Sequence, residues 1–126
     1  MKLGDVIEIL EAKLLAGDER HRSLDVKTAF SADLMSDVLA FAKAGSLILT
    51  GLTTSQVVRT ASILDAAAII IVRGKIPAEE TLKLAEELGI PLISTRYILF
   101  ETSGRLYANG IVGCVEKIGG TANGAS

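Results

Sequence analysis

The sequence has 126 residues, of which 49% are hydrophobic and only 4% aromatic, so its core must consist mainly of Leu, Ile, Val and Ala side chains. The net charge of -2, with Lys and Arg scattered along the chain, argues against binding to a nucleic-acid backbone, which needs a concentrated basic face. A single cysteine excludes an intrachain disulfide, and no apolar run approaches the roughly 20 residues of a membrane span. We therefore expect a cytoplasmic protein that binds neither nucleic acid nor a membrane.

The first 45 residues predict short elements. Apolar residues at helical spacing predict an amphipathic helix over residues 4–11. A short strand over 13–16, a polar turn over 19–23 and a half-buried strand over 26–31 are expected to follow. The next helix is predicted to start at a cap formed by Asp33 or Ser31 and to end at Gly45.

Residues 46–107 predict three consecutive strand–loop–helix units. The strands, residues 46–50, 68–72 and 91–95, are short and predominantly apolar. Such strands alternating with amphipathic helices indicate a mostly parallel sheet that is covered on both faces. The predicted fold is therefore α/β, a three-layer α/β/α domain.

Local signals predict where the three helices start and stop. Thr53 and Gln56 have the spacing of a capping box ahead of the first helix. Pro77 is expected in the first turn of the second helix, and Gly89 is expected to end it in a left-handed conformation. Thr95 is the predicted N-cap of the third.

The last helix is predicted to bury an apolar side formed by Leu99, Phe100, Leu106 and Tyr107. Gly104 costs a helix about 1 kcal/mol relative to Ala, which predicts close approach by a neighbouring element. Residues 111–118 are expected to form a final edge strand or a segment that docks on a partner. One domain is expected over residues 1–118, followed by a flexible polar tail over 119–126.

The candidate site lies in the loops that follow the parallel strands, because ligands bind where the carboxyl ends of such strands meet helix N-termini. The first of these loops contains Thr50, Gly51, Thr53 and Thr54. Their hydroxyls and backbone N–H groups can hold a phosphate or a carboxylate. The alternative is that the same residues form only a tight turn and a helix cap.

Two further loops add positive charge, and a third adds a carboxylate. Arg73 and Gly74 follow a buried strand, where a guanidinium can bind an anion or pair with a neighbouring carboxylate. Thr95 and Arg96 follow the last strand, where Arg96 can share that anion with Arg73 or point to water. Asp33 can bind a ribose hydroxyl or an ammonium group, or can cap the helix that it precedes.

No catalytic set of residues accompanies these loops. The pair Gly74-Lys75 is not a phosphate-binding P-loop, because Ile69 and Ile76 occupy positions where that motif needs Gly and Ser or Thr. The only histidine, His21, lies in a charged turn before the sheet begins, and one cysteine cannot complete a zinc site of the usual composition. We therefore expect no enzymatic activity, no metal and no cofactor.

Four segments occur in a distinctive order and spacing: FSADLMSDVLA at 30–40, LTGLT at 49–53, IVRGKIP at 71–77 and GIPLIST at 89–95. In these segments the chain resembles the DRTGG domain family, which is similar to the N-terminal domain of HPr kinase/phosphorylase. The resemblance covers residues 1–110. It implies a three-layer α/β/α domain without catalytic activity that acts as a regulatory or dimer-forming module.

The sequence departs from the motif that names this family. Leu52 and Thr53 stand where the acidic–Arg pair is expected, and residues 72–74 replace the Thr-Gly-Gly element. If those positions contact the family's ligand, this chain binds a different ligand or none.

Two functions of different classes therefore fit the sequence. The first is a non-catalytic regulatory domain that binds a small anionic metabolite or a nucleotide at the carboxyl edge of the sheet and acts as a homodimer. The second is an interaction or dimerisation module without a small-molecule ligand, which docks on an unidentified protein partner through an exposed apolar patch of several hundred Å². A phosphate-using enzyme, the third reading, requires a general base that we do not find. The loops and the resemblance together favour the first.

Overall fold

The computed structural model describes residues 1–119. The elements in chain order are α1 (Leu3–Ile9), β1 (Lys13–Ala16), a 3₁₀ helix (Glu19–Ser23), β2 (Thr28–Ser31), α2 (Met35–Phe41), β3 (Leu47–Thr50), α3 (Ser55–Leu64), β4 (Ala68–Ile71), α4 (Glu79–Leu88), β5 (Leu92–Ser94), α5 (Leu99–Ala108) and β6 (Val112–Gly113). Apart from Gly119, the predicted flexible tail over residues 119–126 lies outside the described residues.

The six strands form one sheet in the order β1-β5-β4-β3-β2-β6. Strands β2 to β5 and β6 are mutually parallel, whereas β1 runs antiparallel along β5. Lys13 at the start of β1 therefore lies opposite Ser94 at the end of β5. The sheet is mostly parallel, as predicted, and the carboxyl ends of its four central strands share one edge with the start of β1.

Helices cover both faces of the sheet and confirm the three-layer α/β/α fold. Helices α2, α3 and α4 belong to one apolar cluster together with Ile69 and Ile71 of β4. Helices α1 and α5 belong to a second cluster together with Ala68 and Ile70. All four residues of β4 are buried, which is why this strand is continuously apolar rather than alternating.

The connections place a topological switch between β4 and β5. Helices α2, α3 and α4 join neighbouring strands on one face, and α5 then returns across the other face to reach β6 beyond β2. The chain therefore leaves β4 towards one face and β5 towards the other. In α/β sheets the crevice at such a point is the usual place for a ligand.

Two predicted helix ends are wrong. Helix α2 ends at Phe41, because Ala42 adopts an extended backbone, and Gly45 instead donates its N–H to the carbonyl of Asp65. Helix α4 begins at Glu79 after Ala78, so Pro77 precedes the helix rather than starting it. Its other end is confirmed, since Gly89 is the left-handed C-cap with φ of 69°.

The residues predicted to cap α3 and α5 do not cap them, and both make tertiary hydrogen bonds. Helix α3 starts after Thr54 without a side-chain cap, and the carbonyl of Thr53 accepts a hydrogen bond from the Thr81 hydroxyl at 3.0 Å. Helix α5 starts after Ile98, and the buried Thr95 hydroxyl donates to the carbonyl of Leu10 at 2.7 Å. Both cap predictions are wrong: α3 begins one residue later than predicted, and a partner distant in sequence takes the Thr95 hydroxyl.

Helix α5 buries less of its predicted apolar side than expected. Leu106 is buried, whereas Phe100 and Tyr107 are 83% and 70% exposed. A Cβ atom added to Gly104 would meet no other atom within 4 Å, so within residues 1–119 the predicted close approach is absent. The helix faces the sheet with a narrow stripe that includes Thr102 and Leu106, and its opposite side stays uncovered.

The end of the described chain adds a short edge strand. Val112–Gly113 pairs in parallel with Thr28 and Ala29 of β2, so the predicted edge strand over residues 111–118 is confirmed only for two residues. In the described part of the chain, no helix has both the length and the apolar character needed to cross a membrane.

Candidate functional site

Polar side chains from four consecutive loops meet at the carboxyl edge of the sheet. Parallel pairing aligns the strand ends, with Ser31 beside Leu49, Thr50 beside Ile71 and Ile71 beside Ser94. We call the residues that follow these ends the carboxyl-edge cluster. It consists of Asp33 after β2, Gly51 after β3, Arg73 and Lys75 after β4, and Arg96 after β5.

Asp33 organises the loop after β3 instead of capping α2. Its Oδ1 accepts hydrogen bonds from the Gly51 N–H at 2.7 Å and the Thr50 hydroxyl at 3.0 Å. The predicted capping role is wrong, because Leu34 is the N-cap of α2 and no side-chain bond is made there. Thr50 is buried and its oxygen also accepts from the Leu52 N–H at 3.2 Å, so its hydroxyl is already engaged.

These bonds keep Asp33 ionised. The Gly51 N–H lowers the pKa of Asp33 most, partial burial opposes it, and Thr50, Arg73 and Lys75 lower the pKa further. A carboxylate with a lowered pKa is a weak proton acceptor at neutral pH and does not meet the requirement for a general base. Its Oδ2 makes no hydrogen bond within residues 1–119.

Gly51 is the point where the cluster is most tightly packed. A Cβ atom at this position would lie 3.1 Å from Nη2 of Arg73 and 3.6 Å from Oδ1 of Asp33. The Lys75 ammonium donates to the Gly51 carbonyl oxygen at 2.9 Å. A side chain at this position would therefore require the Arg73 guanidinium to shift.

Arg73 is held in an unusual backbone conformation at the topological switch. Arg73 and Gly74 have φ of 65° and 66°, the left-handed region that costs a non-glycine residue about 1 kcal/mol. Their N–H groups donate to the carbonyls of Tyr97 and Thr95, both at 2.8 Å. Bonds to the loop after β5 thus hold the turn that places the Arg73 side chain over Gly51.

The cations of the cluster have no carboxylate partner. Among residues 1–119, no carboxylate oxygen lies within 4.0 Å of a side-chain nitrogen of Arg73, Lys75 or Arg96. The alternative that Arg73 pairs with a neighbouring carboxylate is therefore not observed in this part of the chain. Three cations and one carboxylate at one edge produce a net positive potential, which attracts anions.

A pocket of about 220 Å³ adjoins the cluster on the side of β5 and β1. It is lined by Glu11, Lys13, Gly74, Ile76, Ser94 and Arg96. The antiparallel edge strand brings Lys13 to this pocket, so its ammonium and the Arg96 guanidinium border the same space. With two cations and the Glu11 carboxylate, the pocket extends the charged edge beyond the loops that the sequence identified.

The structure brings most, though not all, of the predicted site residues to this edge. Asp33 and Arg73 both lie against Gly51, and Arg96 packs on Gly74. Thr53 and Thr54 lie at the N-terminus of α3 beside them. Thr50 and Thr95 are buried with engaged hydroxyls, which places them behind the surface. That any of these nine residues binds a ligand stays a prediction.

Sequence reasoning missed two cations. Lys75 lies two residues beyond Arg73, and its own charge next to a strand end was a usable signal. Lys13 gave no signal, because only the antiparallel pairing of β1 with β5 brings it to this edge. Within residues 1–119, no group of three or more His, Cys, Asp or Glu side chains has the geometry to hold a metal ion.

Comparisons with known proteins agree with this architecture. The family model described as "DRTGG domain" matches residues 5–108. Among solved structures, the CBS and DRTGG domains of the regulatory region of Clostridium perfringens pyrophosphatase, complexed with the activator diadenosine tetraphosphate, match with a TM-score of 0.71 and 20% sequence identity. The match covers 83% of this chain and 45% of that one, so this chain spans less than half of its length. No curated protein matches the sequence.

Proposed function

The chain belongs to the DRTGG domain family, and we propose that it is a non-catalytic regulatory domain that binds a small anionic metabolite or a nucleotide at the carboxyl-edge cluster and acts as a homodimer. One observation supports this most directly. Arg73, Lys75 and Arg96 follow adjacent parallel strands without a carboxylate partner in the described chain. Unpaired cations next to a topological switch are suited to an anionic ligand.

The single carboxylate in the cluster favours a nucleotide over a simple anion. Phosphate oxygens can accept hydrogen bonds from Arg73 and Arg96, whose side chains donate none within residues 1–119. The backbone N–H groups at the N-terminus of α3 can add neutral donors. The free Oδ2 of Asp33 repels phosphate but can accept a hydrogen bond from a ribose hydroxyl. A ligand that carries both a phosphate and a ribose hydroxyl can therefore bind to the cations and to Asp33 at the same time.

The structural neighbour supports the same ligand class. That regulatory region was solved with diadenosine tetraphosphate, in which a polyphosphate joins two nucleosides. At 20% identity the likeness itself concerns the fold, so the ligand enters here only as a candidate. Its chemistry agrees with a row of cations that extends from Lys13 to Arg73 along the sheet edge.

The proposal of a non-catalytic role depends on the absence of a suitable base near the cations. Asp33 has a lowered pKa, and His21 belongs to the 3₁₀ helix after β1, at the opposite edge of the sheet. We also propose that residues 1–118 act as one domain with a flexible tail over 119–126, and that the protein is cytoplasmic. The two apolar clusters, which extend from Leu3 to Ile111, support the domain boundary.

Isothermal titration of the full chain with ATP, GTP, diadenosine tetraphosphate and inorganic phosphate tests the proposal. We expect at least one nucleotide to bind, and Arg73→Ala to weaken it roughly 10- to 150-fold, the worth of a charge-assisted hydrogen bond. A nucleotide at 100 times its Kd should also stabilise the fold by about 2.7 kcal/mol. Arg22→Ala, which removes a cation at the opposite edge of the sheet, is the matched control.

A protein-interaction module without a small-molecule ligand is the second candidate function. The exposed aromatic residues of α5 favour it, because no described residue covers them. If the wild-type chain binds none of the four probes, this function replaces the first. If Arg73→Ala binds a nucleotide as tightly as the wild type, the carboxyl-edge cluster is not the site.

A further inference from the structure

Helix α5 presents an apolar side that no part of the described chain covers. We call this side the α5 face and define it by Phe100, Ser103, Gly104, Tyr107 and Ala108. Phe100 is 83% exposed and Tyr107 is 70% exposed, the former being the most exposed of the large hydrophobic residues within 1–119. Two uncovered aromatic rings one helical turn either side of a glycine indicate a surface made for contact with another molecule.

We propose that a second copy of this chain covers the α5 face, with the two α5 helices packed antiparallel about a two-fold axis beside Gly104. This inference extends the homodimer part of the proposed function and rests on it. Anion binding at the carboxyl-edge cluster does not require this surface, so the two can fail separately.

The shape of the face is self-complementary. A hollow of about 370 Å³ lies over Gly104 between Phe100 and Tyr107, and a Cβ atom on Gly104 would meet nothing within 4 Å. An isologous pair of antiparallel helices centred between residues 103 and 104 places residue 100 of one copy opposite residue 107 of the other. Each Phe100 ring then lies against Tyr107 of the other copy, at one end of the hollow, and the glycine lets the helices approach closely.

The charges along one flank of α5 agree with this arrangement. Nε of Arg105 lies 3.0 Å from Oε2 of Glu101 one turn earlier, and both side chains remain partly exposed. A two-fold axis beside Gly104 places the same flank of the two α5 helices side by side, and the two helices run in opposite directions. Residue 101 then lies opposite residue 106, so each Glu101 is about one residue from Arg105 of the second copy along the helix axis, which gives two reciprocal attractions instead of repulsion between like charges.

The aromatic rings of α5 supply only part of the apolar area that a dimer needs. An aromatic side chain can bury about 150–250 Å², so the four rings of two copies contribute on the order of 600 Å². That is about half of the roughly 1,200 Å² at the lower limit for a specific interface. Val112 and Val115 border an apolar cleft of about 280 Å³ that continues from Tyr107 towards β6, and they extend the contact area.

Sedimentation velocity of the full chain at a series of protein concentrations tests the inference. We expect the wild type to form a concentration-dependent dimer and Phe100→Ser or Tyr107→Ser to weaken it at least about tenfold. The matched control is Ile63→Ser, because Ile63 is 74% exposed on α3, away from the proposed contact. Circular dichroism melts identify any variant that does not fold, and the second aromatic variant then replaces it.

Charge reversal tests the two-fold geometry itself. Glu101→Arg and Arg105→Glu should each weaken the dimer several-fold, and the double variant should restore it because the reciprocal attractions return. A monomeric wild type, an aromatic variant that dimerises like Ile63→Ser, or a double variant without recovery would each overturn the inference. Nucleotide titration of Phe100→Ser distinguishes failure of this inference from failure of the proposed nucleotide binding. The affinity for the nucleotide is expected to stay unchanged whether or not the dimer forms.

Discussion

The carboxyl-edge cluster and the α5 face are two surfaces built in opposite ways. The cluster combines single residues from four loops, and tertiary hydrogen bonds hold Asp33, Gly51 and Arg73 in place. The α5 face belongs to one helix, and its two aromatic rings are largely exposed. A polar site is thus positioned by the whole fold, whereas an apolar contact surface is what remains exposed after one side of a helix is buried.

This difference predicts how each surface responds to mutation. In the cluster, substitution of Asp33 leaves neighbouring polar groups unsatisfied, so stability and binding should change together. On the α5 face, a substitution should alter assembly with little effect on the stability of the folded chain, because exposed positions usually change it by less than about 0.5 kcal/mol.

The largest effect should come from Asp33→Ala. Removing the carboxylate leaves the Gly51 N–H and the buried Thr50 hydroxyl without an acceptor, which should cost about 2 to 4 kcal/mol of unfolding free energy. Urea denaturation measures this loss, and Asp33→Asn, which keeps one acceptor oxygen, should lose about half as much. An Asp33→Ala variant as stable as Phe100→Ser would contradict the comparison.

A pair of glycine substitutions should separate the two surfaces next. Gly51→Ala places a Cβ atom 3.1 Å from Nη2 of Arg73, so displacement of the guanidinium should weaken nucleotide binding about tenfold. Gly104→Ala meets no neighbouring atom, so nucleotide affinity should stay constant while the monomer gains about 0.5 to 1 kcal/mol. Titration and urea denaturation of both variants measure these effects, and equal nucleotide affinities would show that space at Gly51 is not needed for binding.

The smallest effect should appear in the pH dependence of stability. The pKa of Asp33 is lowered from its ordinary value of 3.8 by the Gly51 N–H first, so its contribution to stability is present above that value. The contribution is lost as pH falls through the lower pKa of the folded state. Below about pH 4, Asp33→Asn should therefore lose less stability than the wild type. If the wild type and Asp33→Asn lose the same amount of stability as the pH falls, Asp33 is not held as an anion.

Much of the architecture was predictable because it depends on local patterns. Continuous apolar strands such as 68–72 indicated a sheet buried on both sides, and the strand–helix alternation indicated parallel pairing with ligand-binding loops at one edge. Gly89 was found as a left-handed C-cap because only its own turn determines that conformation. The cations Arg73 and Arg96 were found because they follow such strands directly.

The sequence by itself therefore determined the three-layer fold, the order of its strands along the chain and the edge where polar loops gather. These features depend on hydrophobic periodicity and on turn-forming residues, which act over a few residues. The tertiary structure alone decided which hydroxyls and carboxylates bond to distant groups, so that Asp33 holds Gly51 instead of capping α2 and Thr95 bonds to Leu10. It also decided that an antiparallel edge strand brings Lys13 to the site and that Phe100 stays exposed. A side chain's partner depends on which elements become neighbours, and that is settled only when helices and sheet pack together.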